Sequence, residues 1–150
     1  MTIWDTLTNT ASSIRKGLSD ELSRYRSQGF LDAVAAACAL VSTADGSISA
    51  AEKEKMLGFI RQSDELKVFD LQTVIDTFTR FAGKIEFDFA LGASECLATI
   101  GKLKGKTEAR LLVRVCIAVA GADGSFSDDE KKVVRNICTE LGIDPKDFDL

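Results

Sequence analysis

Ala44-Asp45-Gly46-Ser47-Ile48-Ser49-Ala50-Ala51-Glu52-Lys53 returns later in the chain as Ala122-Asp123-Gly124-Ser125-Phe126-Ser127-Asp128-Asp129-Glu130-Lys131. The offset of 78 residues also places Cys38 on Cys116 and Val41 on Val119, so nine of the sixteen positions from Cys38 to Lys53 are identical. The chain therefore contains an internal duplication. Each copy joins an apolar, alanine-rich run (Leu31 to Val41; Leu111 to Ala120) to an amphipathic one, which is the pattern of helix, tight turn, helix.

Much of the phrase is explained by helix ends. Gly46 and Gly124 sit where a helix reaches a left-handed C-terminal residue, and Ser49-x-x-Glu52 and Ser127-x-x-Glu130 are capping boxes for the next helix. Each serine cap is worth about 1 kcal/mol and needs no ligand. Asp45 and Asp123 have no such role. An aspartate in the last turn faces the negative end of the helix dipole, and the same unfavourable placement made twice calls for a compensating positive charge.

A bound cation supplies one such charge. Aligned with an EF-hand loop, Asp45 to Glu52 fills positions five to twelve, with glycine at six, an apolar residue at eight and glutamate at twelve. Positions one and three, however, are Val41 and Thr43 in the first copy and Val119 and Gly121 in the second, so neither copy is an EF-hand. Two carboxylates cannot complete a shell of six to eight oxygens. Packing of the halves about a pseudo-twofold axis would bring Asp45, Glu52, Asp123 and Glu130 together as four. The competing reading is caps plus a solvated acidic face, to which Asp128 and Asp129 belong.

Composition sets the class. The 150 residues are 45% hydrophobic, with one proline and no sustained alternation of apolar and polar positions, so the chain reads as all-α. We expect one domain over 1–150, a compact bundle of about seven helices with the helix-turn-helix duplication inside it. Its parts are an amphipathic N-terminal segment (1–28), repeat one (30–62) and repeat two (108–142). With a net charge of −4 and no basic block, nucleic acid is not an expected partner. A polar N-terminus and the lack of an apolar run of roughly 18 to 20 residues predict neither a signal peptide nor a membrane span, and hence a cytoplasmic protein.

In the first segment Trp4, Leu7, Ala11, Ile14, Leu18, Leu22 and Tyr25 recur at steps of three and four, one apolar stripe with Arg15, Lys16, Arg24 and Arg26 beside it. The stripe suits packing on its own domain first, and a partner or a membrane surface second. Gly29 is expected to close this helix and Phe30 to Ala44 to form a central one. Ser49 opens the next, ending near Gln62. Asp70 caps a helix with Leu71, Val74, Ile75, Phe78 and Ala82 inward, stopped by Gly83; Asp88 begins another with Phe89, Ala93, Leu97 and Ile100 inward. Thr107 starts the second central helix. Val133, Val134, Ile137, Cys138 and Leu141 mark the last long one, closed by Gly142, and Asp144-Pro145 opens one further turn with Phe148 tucked back.

No histidine is present, and the four cysteines, Cys38, Cys96, Cys116 and Cys138, form no Cys-x-x-Cys pair. A structural zinc site and the Ser-His and Cys-His nucleophile pairs are thereby disfavoured, and no enzyme is expected. Each cysteine stands among apolar helix neighbours, as small core residues do.

The stretch Phe30-Leu31-Asp32-Ala33-Val34-Ala35-Ala36-Ala37-Cys38-Ala39-Leu40, both turns, and Ser63-Asp64-Glu65-Leu66-Lys67-Val68-Phe69-Asp70 closely resemble the TerB-type tellurite-resistance family. Neither capping nor amphipathicity dictates the wording of Ser63 to Asp70. The resemblance implies a helical bundle related to the N-terminal domain of a membrane-anchored DnaJ-like chaperone, and a role in bacterial tellurite resistance and stress response. It implies scaffolds, cytoplasmic or peripheral at the inner face of the membrane, that work with a TerC-type integral membrane protein and TerD-type calcium-binding proteins. The metal site proposed within the family maps onto Asp45, Glu52, Asp123 and Glu130, all present here.

Three functional readings follow. In the first, a hard divalent ion, Ca²⁺ or Mg²⁺ on oxygen ligands alone, bridges the two turns and the domain is a non-enzymatic sensor or scaffold acting through protein contacts. In the second, there is no metal and the acidic face docks on a basic partner. In the third, a thiol handles an oxyanion. A monomer or weak dimer is expected.

Overall fold

The computed structural model describes residues 28–44, 70–120 and 126–150, together with 50, 54, 57, 58, 61 and 62, which are helical. The described residues contain five α-helices: α1 Gln28–Ser42, α2 Leu71–Phe87, α3 Phe89–Gly101, α4 Glu108–Ala120 and α5 Asp128–Leu141. A 3-10 turn, Pro145–Phe148, follows, and no strand occurs among them. The all-α class is as expected, whereas five helices are fewer than the seven or so that periodicity suggests. Of the two extra ones, that over 1–28 lies outside the described residues but for Gln28, and from Ser49 to Gln62 only residues 50, 54, 57, 58, 61 and 62 are described, all of them helical.

α1 is apolar nearly all round, and a helix of that kind is stable only where every face is covered. From Phe30 to Val41 every residue except Asp32 is buried, and the helix packs against α2, α3, α4 and α5. Each fully buried Val, Leu or Phe there contributes roughly 1.5–3 kcal/mol relative to exposure. α4, its counterpart in the repeat, is buried from Leu111 to Ala120 save for Arg114. The two copies meet in the core, where the Cys38 thiol stands close enough to Cys116 to affect its ionisation.

α2 and α3 form a hairpin with Asp88 as the single residue between them. The Asp88 N–H donates to the Lys84 carbonyl to end α2, and its carboxylate accepts the Leu91 N–H at 3.1 Å to begin α3. Gly92 makes the corner tight: a Cβ there would lie 2.5 Å from Ile85 Cα and N. Farther along, Lys84 Nζ is 2.6 Å from Glu95 Oε2, which ties the two helices together on their outer side.

Several expected boundaries move. Gly83 does not stop α2, which continues to Phe87, because one more turn buries Ile85 on the stripe of Val74, Phe78 and Ala82. That burial outweighs the cost of about 1 kcal/mol for an interior glycine. Gly29 lies inside α1 rather than ahead of it. Asp70 precedes α2, but its carboxylate accepts the Thr73 hydroxyl at 2.6 Å instead of a backbone N–H. Phe89 and Leu71, both expected inward, are 45% and 37% exposed. The 3-10 turn is capped by Asp144 as expected, and Asp147 within it pairs with Arg110 at 3.2 Å, whose guanidinium lies over the Phe148 ring.

Candidate functional site

The repeated turns are positioned by the helices on either side of them. At the end of α1 the Ser42 hydroxyl donates to the Cys38 carbonyl at 2.6 Å, and the buried Thr43 hydroxyl lies within bonding distance of the Ala39 and Leu40 carbonyls. The Thr43 and Ala44 N–H groups donate to the Leu40 and Val41 carbonyls at 3.1 and 3.3 Å, so backbone pairing continues past the last residue of α1. Asp45, Glu52 and Asp123 lie outside the described residues. Among the described residues no group of three or more carboxylates or thiols is placed to hold a metal ion.

Glu130, the fourth expected ligand, is described, and it closes a capping box. Ser127 Oγ accepts the Glu130 N–H at 3.1 Å while Glu130 Oε1 accepts the Ser127 N–H at 2.9 Å. Phe126, the residue before the cap, is buried, and Lys131 Nζ sits 5.8 Å from its ring centre. One lone pair of Glu130 Oε1 is therefore engaged by backbone, while Oε2 and the second lone pair of Oε1 stay available to another partner. Asp128 and Asp129, the expected docking residues, are exposed in the first turn of α5, where carboxylates are favoured by the positive end of the helix dipole.

A second group of charges escapes a reading along the chain. Asp32 of α1, Arg80 and Lys84 of α2, and Glu95 and Lys102 of α3 line a surface cleft of about 340 Å³. Arg80 and Lys84 both stand over the Phe81 ring, at 5.2 and 5.9 Å. Asp32 is partnered by the Gln28 amide at 2.8 Å. The antiparallel pairing of α2 with α3 about Asp88, which sets residue 84 beside residue 95, is the signal that would have found this cluster.

All four thiols are buried. Loss of hydration pushes Cys38 and Cys96 up to about 12 and Cys138 up to about 11. Cys116 is raised well above the ordinary value by burial, with the neighbouring Cys38 and Cys138 adding to it. Buried thiols held neutral in this way are poor nucleophiles, which is the property of core residues. No helix among the described residues is long and apolar enough to cross a membrane.

Two comparisons bear on this arrangement. The family model described as tellurite resistance protein TerB matches residues 31–150. The chain is also 36% identical over 118 residues to the tellurium resistance protein TerB of an Alcaligenes species, across 78% of this chain and 97% of that protein. No solved structure matches.

Proposed function

The chain belongs to the TerB family of tellurite-resistance proteins, and from that premise we propose that it is a non-enzymatic cation-binding scaffold of a bacterial tellurite-resistance and stress-response system. The observation that carries this reading is the doubled Asp-Gly turn, whose aspartates follow the last residues of α1 and α4 by three positions each, beyond the negative ends of both helices. It is supported by the packing of α1 on α4, since the helices that lead into the two turns are neighbours in one core. Asp45, Glu52, Asp123 and Glu130 would hold the ion, which as an oxygen-bound divalent cation is Ca²⁺ or Mg²⁺. Four carboxylates fall short of six to eight oxygens unless some bind through both, so water completes the shell and the affinity is modest. The loaded turns would fix the ends of their flanking helices and present a surface to a TerC-type membrane protein or a TerD-type calcium-binding protein at the cytoplasmic side of the membrane.

Isothermal titration of chelator-treated protein with Ca²⁺ and Mg²⁺ tests this. One site per chain is expected, and it should be absent from the Asp45→Asn/Asp123→Asn variant. No heat up to millimolar ion, or equal binding by the variant, would remove the cation from the proposal.

The capping box favours a second reading in which no metal takes part. Ser127 and Glu130 satisfy each other, and Asp128 and Asp129 already have a stabilising role at the helix start while remaining exposed to a basic partner. Binding through that face would weaken gradually with salt. The raised and buried thiols speak against oxyanion chemistry at cysteine.

A further inference from the structure

The cleft between α1, α2 and α3 carries charge that its own side chains do not use up. Asp32, Arg80, Lys84, Glu95 and Lys102 line one space of about 340 Å³. Lys84 and Glu95 are paired with each other at 2.6 Å, and Asp32 accepts the Gln28 amide through Oδ1. Arg80 and Lys102 form no ion pair or hydrogen bond among the described residues, although a carboxylate stands in the same cleft. Three cations against two carboxylates also give the cleft a sign opposite to that of the chain, whose net charge is −4.

The cations are placed by the helices beneath them. Arg80 and Lys84 are one turn apart on α2, and Lys102 follows Glu95 by about two turns at the end of α3. The ring of the buried Phe81 has the Arg80 guanidinium 5.2 Å and the Lys84 ammonium 5.9 Å from its centre. Both heads are attracted to that ring, so Arg80 has a support and no anion.

From this imbalance we propose that the cleft binds a small phosphate-type oxyanion, held by Arg80 from α2 and Lys102 from α3. A phosphate group carries about −1.5 to −2 near neutral pH, which matches the two unpaired cations, and the guanidinium fork suits two of its oxygens. A lone carboxylate would match only one of them. A polyanion is opposed by Asp32 and Glu95, which line the same space. The volume lies at the lower end of small-ligand sites and admits free phosphate or a small phosphate ester. None of the four carboxylates in the cation reading lines this cleft, so the two proposals stand or fall separately.

Amide NMR shifts of the full chain, titrated with inorganic phosphate at constant ionic strength in sodium chloride, test the site. Saturable shifts are expected around Arg80 to Lys84 and Thr99 to Lys102, with a dissociation constant on the order of 1 mM because both cations are solvent-exposed. Arg80→Gln/Lys102→Gln, with unchanged circular dichroism, should bind at least roughly tenfold more weakly. Lys106→Gln/Lys146→Gln removes the same charge from exposed positions outside the cleft and should stay within about twofold of wild type. Glu95→Gln, which releases Lys84 to the anion, should bind roughly three- to tenfold more tightly. Glycerol 3-phosphate identifies the source: tighter binding than inorganic phosphate assigns the cleft to a phosphorylated small molecule, and equal or weaker binding assigns it to free phosphate. Shifts that rise without saturating, or equal weakening in the two double variants, would reduce the effect to general charge and overturn the proposal. So would saturable shifts that map away from α2 and α3.

Discussion

α1 and the α2–α3 corner both carry large apolar side chains, and they end in opposite environments. Phe30 is fully buried at the start of α1, whereas Phe87 at the end of α2 is almost fully exposed. The phenylalanine is the same residue in both. The difference is placement. α1 passes between four other helices and is covered on every side, while the corner is where two helices reverse direction and no further described element crosses over them. An apolar residue contributes through the area that neighbours remove from water, so the same side chain is worth several kcal/mol in one place and almost nothing in the other.

The most direct way to break that comparison is one substitution made at both places. Phe30→Ala should cost about 3–5 kcal/mol by urea denaturation, the usual range for a buried phenylalanine. Phe87→Ala should stay within roughly 0.5–1 kcal/mol, as surface changes do. Equal losses would mean that the corner is covered as completely as α1.

How far this contrast was legible in the sequence depends on what each feature needs. α1 could be read from its composition, because only a central helix tolerates apolar residues on every face. The Ser127–Glu130 box and the Gly142 stop could also be read, since both depend on residues a few positions apart. Phe89 could not. Helical spacing places it on the same face as Ala93, but the stripe does not reveal that its helix begins beyond the edge of the core. Gly83 misled for a related reason, as a local stop signal lost to the distant burial of Ile85. The charged cleft depends on pairing across the hairpin and so on tertiary structure alone. Of the expected ligands, only Glu130 lies within the described residues, and there its cap can be read and its cation cannot.

The two glycines of the hairpin sharpen the comparison with opposite signs. Gly92→Ala would put a methyl group 2.5 Å from Ile85 backbone atoms, so the helices must part and a loss of about 1–3 kcal/mol is expected. Gly83→Ala meets nothing within 4 Å on an exposed helix face and should stabilise by about 0.5–1 kcal/mol. Thermal midpoints that move the same way for both would show that the close approach at the corner is not what holds it.

The interior side of the comparison can be probed by pH. Cys38 is pushed from 9.0 up to about 12 by burial in α1. Below pH 9 the thiol is neutral in both states and the contribution is fully present. Between pH 9 and about 12 the unfolded chain releases a proton that the folded chain retains, so stability falls as pH rises. The slope approaches about 1.4 kcal/mol per pH unit for one such thiol. Urea midpoints from pH 8.5 to 11 should therefore fall less steeply in Cys38→Ala than in wild type, whatever the offset between them at pH 8.5. Parallel slopes would mean that water reaches α1.

The smallest effect is expected at Asp88, and it asks what keeps an exposed corner ordered when burial does not. Three backbone-linked interactions converge on this residue. Its N–H ends α2 on the Lys84 carbonyl, its own carbonyl accepts the Gly92 N–H at 2.8 Å, and its carboxylate caps α3 at the Leu91 N–H. Only the last depends on the side chain. Asp88→Ala should therefore cost about 1 kcal/mol, the value of an N-cap, while Asp88→Ser should retain most of it because serine can make the same hydrogen bond. The loss should also be local, with faster hydrogen exchange at the start of α3 and unchanged exchange in α1. If alanine and serine cost the same, the backbone pairings alone hold the turn. If exchange in α1 rises as well, the corner is part of the cooperative core, and its exposed aromatics stand on a support as firm as the helix they were contrasted with.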